Sequence, residues 1–560
     1  MSYHVSRALP VAVTTAAALL GLASCGDDDE TLVRRAHSGV VADLTLEARQ
    51  PTADLSGERR ELAAFRVTNK NRRECPWIVE GPEDPVQTLV LPPGGSDDRS
   101  KMIPAVALRK VGPKSFSFPL EFGAGDVTTV RVAASCYEGA EERARVVAYD
   151  ARGEAKETSD WRLMFGRKDP YFVEFDLIES TKPGGARAGV RLEFEGTGSH
   201  AALMSMTLES QPIQARLPQV GAPRSIQRGE GWCSAAGLVE GAPWTVAFDL
   251  EGGTDARRRL ALTATLPGFV RSLPSGARLE AQLSKTSGEP VAARSFELRG
   301  FDGSGWRDVS MEFADVPAGA YELELAVADE DENRAAALLV GDALFVEPTD
   351  APKTVLLITS DTHRGDYLGL ARPMPFVDTP SLDALGQRGA YFDAGYSTTN
   401  ITNPSHIAVM SGIHPRDTQI VDNTTQLTSR VQTLAEIFRA NGYRTLAAIS
   451  TQHLDPGQSG LGQGFGRLDA PSDFKRSGDI AIDRVKDWLD ASEGVSTFAW
   501  VHVFDAHAPY DPPENLMERR SEGLQRESDT WDLEERFRPK WTRDEGLSSP
   551  EYINAMYAAE

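Results

Sequence analysis

The hydrophobic pattern divides this chain into three stretches of different texture. The first is short: Arg7 precedes an apolar run from Ala8 to Leu22, which ends in Leu22-Ala23-Ser24-Cys25 and is followed by Gly26 and Asp27-Asp28-Asp29-Glu30. That run is too short to span a bilayer comfortably and suits a signal peptide. From about residue 40 to 350 apolar and polar positions alternate with period two. Examples are Leu44-Thr45-Leu46, Val190-Arg191-Leu192-Glu193-Phe194 and Tyr321-Glu322-Leu323-Glu324-Leu325. Gly, Pro, Asp and Ser clusters punctuate these runs, a texture that predicts β-sandwiches. A break from Gln211-Pro212 to Gly231 divides the region into units at 40–212 and 230–348. Each unit finishes on an apolar strand, Ala201 to Leu208 and Ala335 to Val346.

At Glu347-Pro348-Thr349-Asp350-Ala351-Pro352 the pattern changes. Thr354 to Thr359 is a continuous apolar and β-branched run, which reads as a strand buried on both faces of a parallel sheet. Thr379-Pro380 supplies an N-cap and a first-turn proline for a helix over Ser381 to Arg388, stopped by Gly389. Leu434, Ile437 and Phe438 mark the apolar face of a second helix, ended by Asn441-Gly442, and the strand Tyr443 to Ile449 follows. Ala481, Val485, Trp488 and Leu489 give a third helix, and Phe498 to Phe504 a further strand. Helix and strand alternating across short joints predict an α/β domain over 352–560.

A length of 560 residues asks for several cores, so the chain reads as multidomain. A formal net charge of −23 repels polyanions and excludes nucleic acid as a partner; acidity otherwise favours solubility. The first 25 residues resemble a bacterial lipoprotein signal, which implies that Cys25 is lipidated and becomes the first mature residue. Residues 26–40 then form a tether. The protein is expected to be exported to the cell envelope, on its periplasmic or surface face, and held to the membrane by acyl chains rather than a span. Cys75 and Cys136 fall in one unit and are the expected disulfide pair, leaving Cys233 odd. The two β units resemble jelly-rolls of the carbohydrate-binding kind. Trp161, Trp232, Trp244 and Trp306 are then candidate sugar platforms, against the alternative that they are core residues of a spacer.

The chemistry gathers in the α/β region. Asp361 sits just past the carboxyl end of its strand, where open α/β sheets hold ligands, and Thr402, Ser405 and His406 lie in a polar turn near a helix start. A carboxylate, a hydroxyl and an imidazole together suggest metal-assisted hydrolysis.

Four ordered phrases carry a resemblance to a known family. They are Thr354 to Asp361 with Asp366-Tyr367-Leu368-Gly369; Thr379 to Leu385 with Gly389-Ala390-Tyr391-Phe392; Thr402-Asn403-Pro404-Ser405-His406 with Ser411-Gly412; and Val501 to Tyr510. Together they resemble the N-terminal part of the catalytic domain of the sulfatase family, in the alkaline phosphatase superfamily. The resemblance implies Asp361 as a metal ligand and Thr402 as the nucleophile, its oxygen also on the metal. His507 would contact the transferred group or protonate the leaving oxygen, Asn423 would bind the group's oxygens, and His406 would support the nucleophile turn and the substrate. Asp505 and His502 would be partners of His507.

Three departures qualify what the resemblance implies. Sulfatases carry C-x-P-S-R, or Ser first, so that the first residue can be oxidised to formylglycine; threonine cannot give that aldehyde. T-x-P-[SN]-H instead resembles superfamily phosphodiesterases that use unmodified threonine and two zinc ions. Thr362 stands where calcium-type sulfatases often place a second aspartate. The family pattern continues, past a tract like Tyr557-Ala558-Ala559-Glu560, to a strand and a D-H-G motif, so the α/β domain reads as incomplete.

The expected function is therefore an exported, lipid-anchored hydrolase of sulfate or phosphate esters on a small molecule or glycan. Its metal would be calcium or magnesium if sulfatase-like and zinc if phosphodiesterase-like. The alternatives are a phosphodiesterase or phosphomonoesterase of the same superfamily, and an inactive surface glycan-binding protein.

Overall fold

The structure, a computed structural model, describes residues 38–51 and 211–560, apart from 254–255, 271–272, 274–275, 330–335, 372–376 and 529–537. Between 58 and 210 it describes mainly the strand backbones. The signal with Cys25, the side chains of Cys75 and Cys136, and Trp161 lie outside the described residues. No helix among the described residues is long and apolar enough to cross a membrane.

The alternating pattern upstream of residue 212 forms two six-stranded sheets. Their longest pairing joins Ala201–Pro212 to Asp126–Cys136, antiparallel. Ten further strands make one sheet: β1 (Val40–Asp43), β2 (Arg224–Arg228), β3 (Gly231–Val239), β4 (Arg258–Thr265), β5 (Arg307–Phe313), β6 (Ala337–Val346), β7 (Thr354–Ser360), β8 (Arg444–Ala448), β9 (Arg467–Asp469) and β10 (Thr497–Val503). Its order is β5-β4-β6-β3-β9-β8-β10-β7, with β1 on β6 and β2 on β3. Strands β9, β8, β10 and β7 run parallel, as the helix–strand alternation predicts. A four-stranded sheet of Trp244–Leu250, Gly319–Ala328, Arg278–Lys285 and Pro290–Glu297 completes the second sandwich.

The sandwich and the α/β region thus share one sheet. β3 pairs antiparallel with β9, Trp232 opposite Leu468, so the change of texture near residue 350 is a change of connectivity and not a break in packing. Residues 40–43, expected to open the first sandwich, pair instead with Leu344–Val346 of β6. Two buried ion pairs bind the seam. Arg439 holds Asp43 at 2.7 Å and donates to Ser234 and Thr45; Arg444 holds Asp342 at 2.7 Å and donates to Ser492.

The helices form where capping and periodicity place them. α1 (Pro380–Arg388) opens on its proline; α2 (Thr402–Ser411) closes on Gly412 at φ 70°, a left-handed position that suits glycine. α3 (Leu434–Ala440) opens with a capping box between Thr433 and Glu436, and Phe438 stacks on Phe498 at 4.4 Å. α4 (Gly478–Asp490) buries Ala481, Val485 and Trp488, and α5 (Pro550–Ala559) buries Ala555, Met556 and Ala559.

Two expectations are corrected. Among the described residues β7 lies at the end of the sheet and is not covered on both faces: Val355, Leu356 and Ile358 are 38%, 48% and 58% exposed, and α1 buries none of its residues. Two of the tryptophans described in the second sandwich, Trp244 and Trp232, are core residues and not platforms. Trp244 is fully buried and donates to Gly237 O; Trp232 packs among Phe498, Trp500 and Leu468 of the α/β core; Trp306 is half-buried and donates to Gly231 O. Cys233 is a buried free thiol, its pKa pushed up to about 12 by burial, and therefore inert.

Candidate active site

Adjacent parallel strands bring the site together. The Asp361 amide donates to Val503 O at 3.0 Å, extending the β7–β10 pairing one residue beyond the strand end, so Asp361 emerges beside the carboxyl end of β10. His502 of β10 lies with its Nε2 3.5 Å from Asp361 Oδ2. α2 brings a second imidazole: His406 sits one turn below Thr402, and its Nδ1 donates to Thr402 O at 2.9 Å. Donor atoms of Asp361, His406 and His502 all lie within 4.8 Å of one another.

Thr402 is buried as the first residue of α2. Asn423 bears on the same helix start: its Oδ1 accepts from the Asn403 amide at 2.9 Å, while Asn403 Nδ2 donates to Asp422 O and Thr425 O. Asn423 therefore caps the start of α2, with its amide nitrogen still available to a ligand. The four-residue Asp422–Thr425 turn that presents it is held by Asp422, whose pKa the Thr424 and Thr425 donors lower to about 2.

His507 joins through a column of rings. His406 and His502 are 4.9 Å apart, His502 and Phe504 5.8 Å, and Phe504 stacks on His507 at 4.1 Å. The His507 Nδ1 donates to Ala508 O at 2.6 Å, which leaves the lone pair of the neutral ring on Nε2. The sequence reading paired Asp505 with His507, whereas both Asp505 oxygens accept from Gly478 N and cap α4. His502 is the residue the sequence reading undervalued. Its signal was a lone imidazole inside the apolar strand Phe498 to Phe504, fully buried in the structure.

The electrostatics follow from burial. Burial alone would raise the Asp361 pKa, but the imidazoles of His502, His406 and His507 outweigh it and hold the carboxyl below its ordinary value. Burial, with His502 beside it, lowers His406 to about 4, and burial also lowers His502. At neutral pH the site therefore holds a carboxylate and two neutral imidazoles, the protonation states a cation needs.

The unsatisfied atoms decide whether a cation fits. Asp361 Oδ2 and His502 Nε2 are buried without a hydrogen-bond partner. His406 spends its Nδ1 proton on Thr402 O, so its Nε2 carries a free lone pair, the arrangement that orients metal-bound histidines. Ser450 N donates to His502 Nδ1 at 3.4 Å, leaving the His502 proton on Nε2, toward the carboxylate. Asp361 and His406 thus fit as ligands, and His502 fits as the group that steadies Asp361.

Residues 353–557 match the sulfatase family model, so the chain carries a sulfatase-family domain over that segment. The chain is 37% identical over 112 residues to an ulvan-active sulfatase of Formosa agariphila, covering 20% of this chain and 22% of that protein. It is 28% identical over 110 residues to a choline-sulfatase of Rhizobium meliloti, covering 20% of this chain and 21% of that protein. The matched segment spans about a fifth of the length of each relative. The crystal structure of a phosphonate monoester hydrolase of Agrobacterium radiobacter aligns with 37% of this chain and 56% of its own, at 20% identity and a TM-score of 0.28.

Proposed function

We propose that the α/β portion hydrolyses sulfate or phosphate esters with Thr402 as nucleophile, in an exported protein anchored by acyl chains on Cys25. One observation carries the hydrolase reading: an ionised, buried Asp361 with an unsatisfied oxygen faces neutral His406, whose helix begins with Thr402. The positive end of α2 favours negative charge on the Thr402 hydroxyl and on the transferred group. The Asn423 amide is a donor for that group's oxygens, and His507 is the proton donor for the leaving oxygen. A divalent cation on Asp361 and His406 would supply charge neutralisation and ease ionisation of the hydroxyl.

The nitrogen donor favours zinc over calcium. With an unmodified threonine, it also favours phosphate transfer as the second reading within this class. Similarity to an ulvan-active sulfatase supports sulfated glycans among the substrates to be tried.

The test is hydrolysis of an aryl sulfate, an aryl phosphate monoester and an aryl phosphate diester by the metal-loaded chain. Thr402→Ala is expected to lower turnover of the accepted ester by roughly 10³-fold. Unchanged turnover would remove Thr402 from the mechanism. For the anchor, Cys25→Ala is expected to move the protein from the membrane to the soluble fraction; retention in the membrane would refute lipidation.

A further inference from the structure

The residue after Asp361 sits in an unfavourable conformation. Thr362 has φ 55°, a left-handed value that β-branched side chains avoid because Cβ crowds the following carbonyl. Three hydrogen bonds hold it there. Thr362 Oγ1 donates to Ala506 O at 2.7 Å, the Tyr557 hydroxyl donates to Thr362 O at 3.1 Å, and the same hydroxyl accepts from Arg364 N at 2.7 Å. A second tyrosine backs the first: Tyr367 is buried, meets the Tyr557 ring edge-on at 4.9 Å, and donates to Asn554 Oδ1. The turn that carries Asp361 is therefore pinned to α5 on one side and to the loop leading into His507 on the other.

We propose that Tyr557 and Thr362 are positioning residues that aim the Asp361 carboxylate at His406 and tie it to the His507 loop. The inference rests on the metal-assisted reading above. If these bonds are released, Thr362 relaxes to an ordinary negative φ, the turn shifts, and the carboxylate leaves the direction that His406 Nε2 shares. The strain is stored beside the reacting groups, where a fixed ligand direction repays it.

The experiment is calorimetric titration of the full chain with zinc and with manganese(II), each alone, alongside thermal unfolding. Asp361→Asn is expected to abolish binding. Tyr557→Phe, which keeps the ring, is expected to weaken it by about tenfold with little change in melting temperature, as loss of an outer-shell partner does. Thr362→Val keeps the shape but loses Oγ1 and should weaken binding similarly; Thr362→Ser keeps the oxygen and should restore it. Wild-type affinity in Tyr557→Phe and Thr362→Val, with binding lost in Asp361→Asn, overturns the clamp and leaves the metal reading standing. Unchanged affinity in Asp361→Asn overturns both.

Discussion

Strands β10 and β7 pair in parallel over seven residues, Thr354 opposite Thr497 through Ser360 opposite Val503. β10 is buried from Thr497 through His502, clasped by Phe438, Phe465 and Val485 from its two faces, while β7 leaves most of its side chains to solvent. The site straddles this contrast. His502 and His406 come from the packed side, whose rings and buried ion pairs give each side chain one position. Asp361 comes from the open side: it is buried at the strand end with its amide on Val503 O, and the bonds of the next residue, Thr362, to Ala506 and Tyr557 hold its turn. Precision at this site therefore has two sources, dense packing for the imidazoles and a clamp for the carboxylate.

The contrast predicts that the largest losses come from the packed side. Phe498→Ala is expected to cost about 3–5 kcal/mol of unfolding free energy, because the ring stacks on Phe438 and Phe465 with no room to collapse. Arg439→Met is expected to cost about as much, since it strands Asp43 as a buried, unpaired charge. Adding Asp43→Leu should recover most of that second loss. Urea unfolding checks both, and an Arg439→Met loss under about 1 kcal/mol would mean the seam is wetter than the structure has it.

The acid response is the next effect in size. His406 has a folded pKa of about 4 against an ordinary 6.5, so between those values the unfolded chain binds the proton that the folded chain refuses. Stability is then complete above pH 6.5 and falls as the pH drops toward 4, by about 3 kcal/mol for this group alone. His502, also lowered by burial, adds to the same slope, and Asp361, held low, extends it further into acid. In chelator, His406→Gln should flatten melting temperature against pH over this window. A slope identical to wild type would show that His406 is not the group refusing the proton.

Helix caps give a smaller effect. Thr433→Ala removes the capping box of α3 and the bond to Gln463 O, and should cost about 1–2 kcal/mol by thermal unfolding. Thr379 makes no such bond to the backbone of α1, but its hydroxyl accepts from Gly369 N and donates to Asp383 Oδ1, so Thr379→Ala should cost about 1 kcal/mol as well.

What the sequence could reveal follows the same divide between local and distant. α3, β8, α4 and β10 were legible because caps, periodicity and Gly442 are local signals. So was the order of the site phrases, which put Asp361, Thr402 and His507 in one region. The join of β3 to β9 was not legible, nor was the Arg439–Asp43 pair, whose partners are 396 residues apart and carry no mark in their own neighbourhoods. The apolar run Thr354 to Thr359 reads as a buried strand because its composition is that of one. Whether neighbours cover it is decided by elements the run itself cannot specify. His502 was half legible: an imidazole in an apolar strand announces a burial problem, but only the fold names Asp361 as its solution.

The smallest expected effect tests the open side itself. Ile358 is opposite Val501 in the pairing yet more than half exposed on an edge strand, so Ile358→Lys removes little packed surface. Its cost should be within about 0.5 kcal/mol by thermal unfolding. Lysine on an exposed edge also opposes strand-to-strand association, so light scattering at high protein concentration should fall. Leu385→Ala on α1 should be equally silent. A loss of about 2 kcal/mol or more in either variant is what burying a side chain of this size contributes. Such a loss would mean that the open face is covered in solution, and the clamp on Asp361 would then share its work with whatever covers β7.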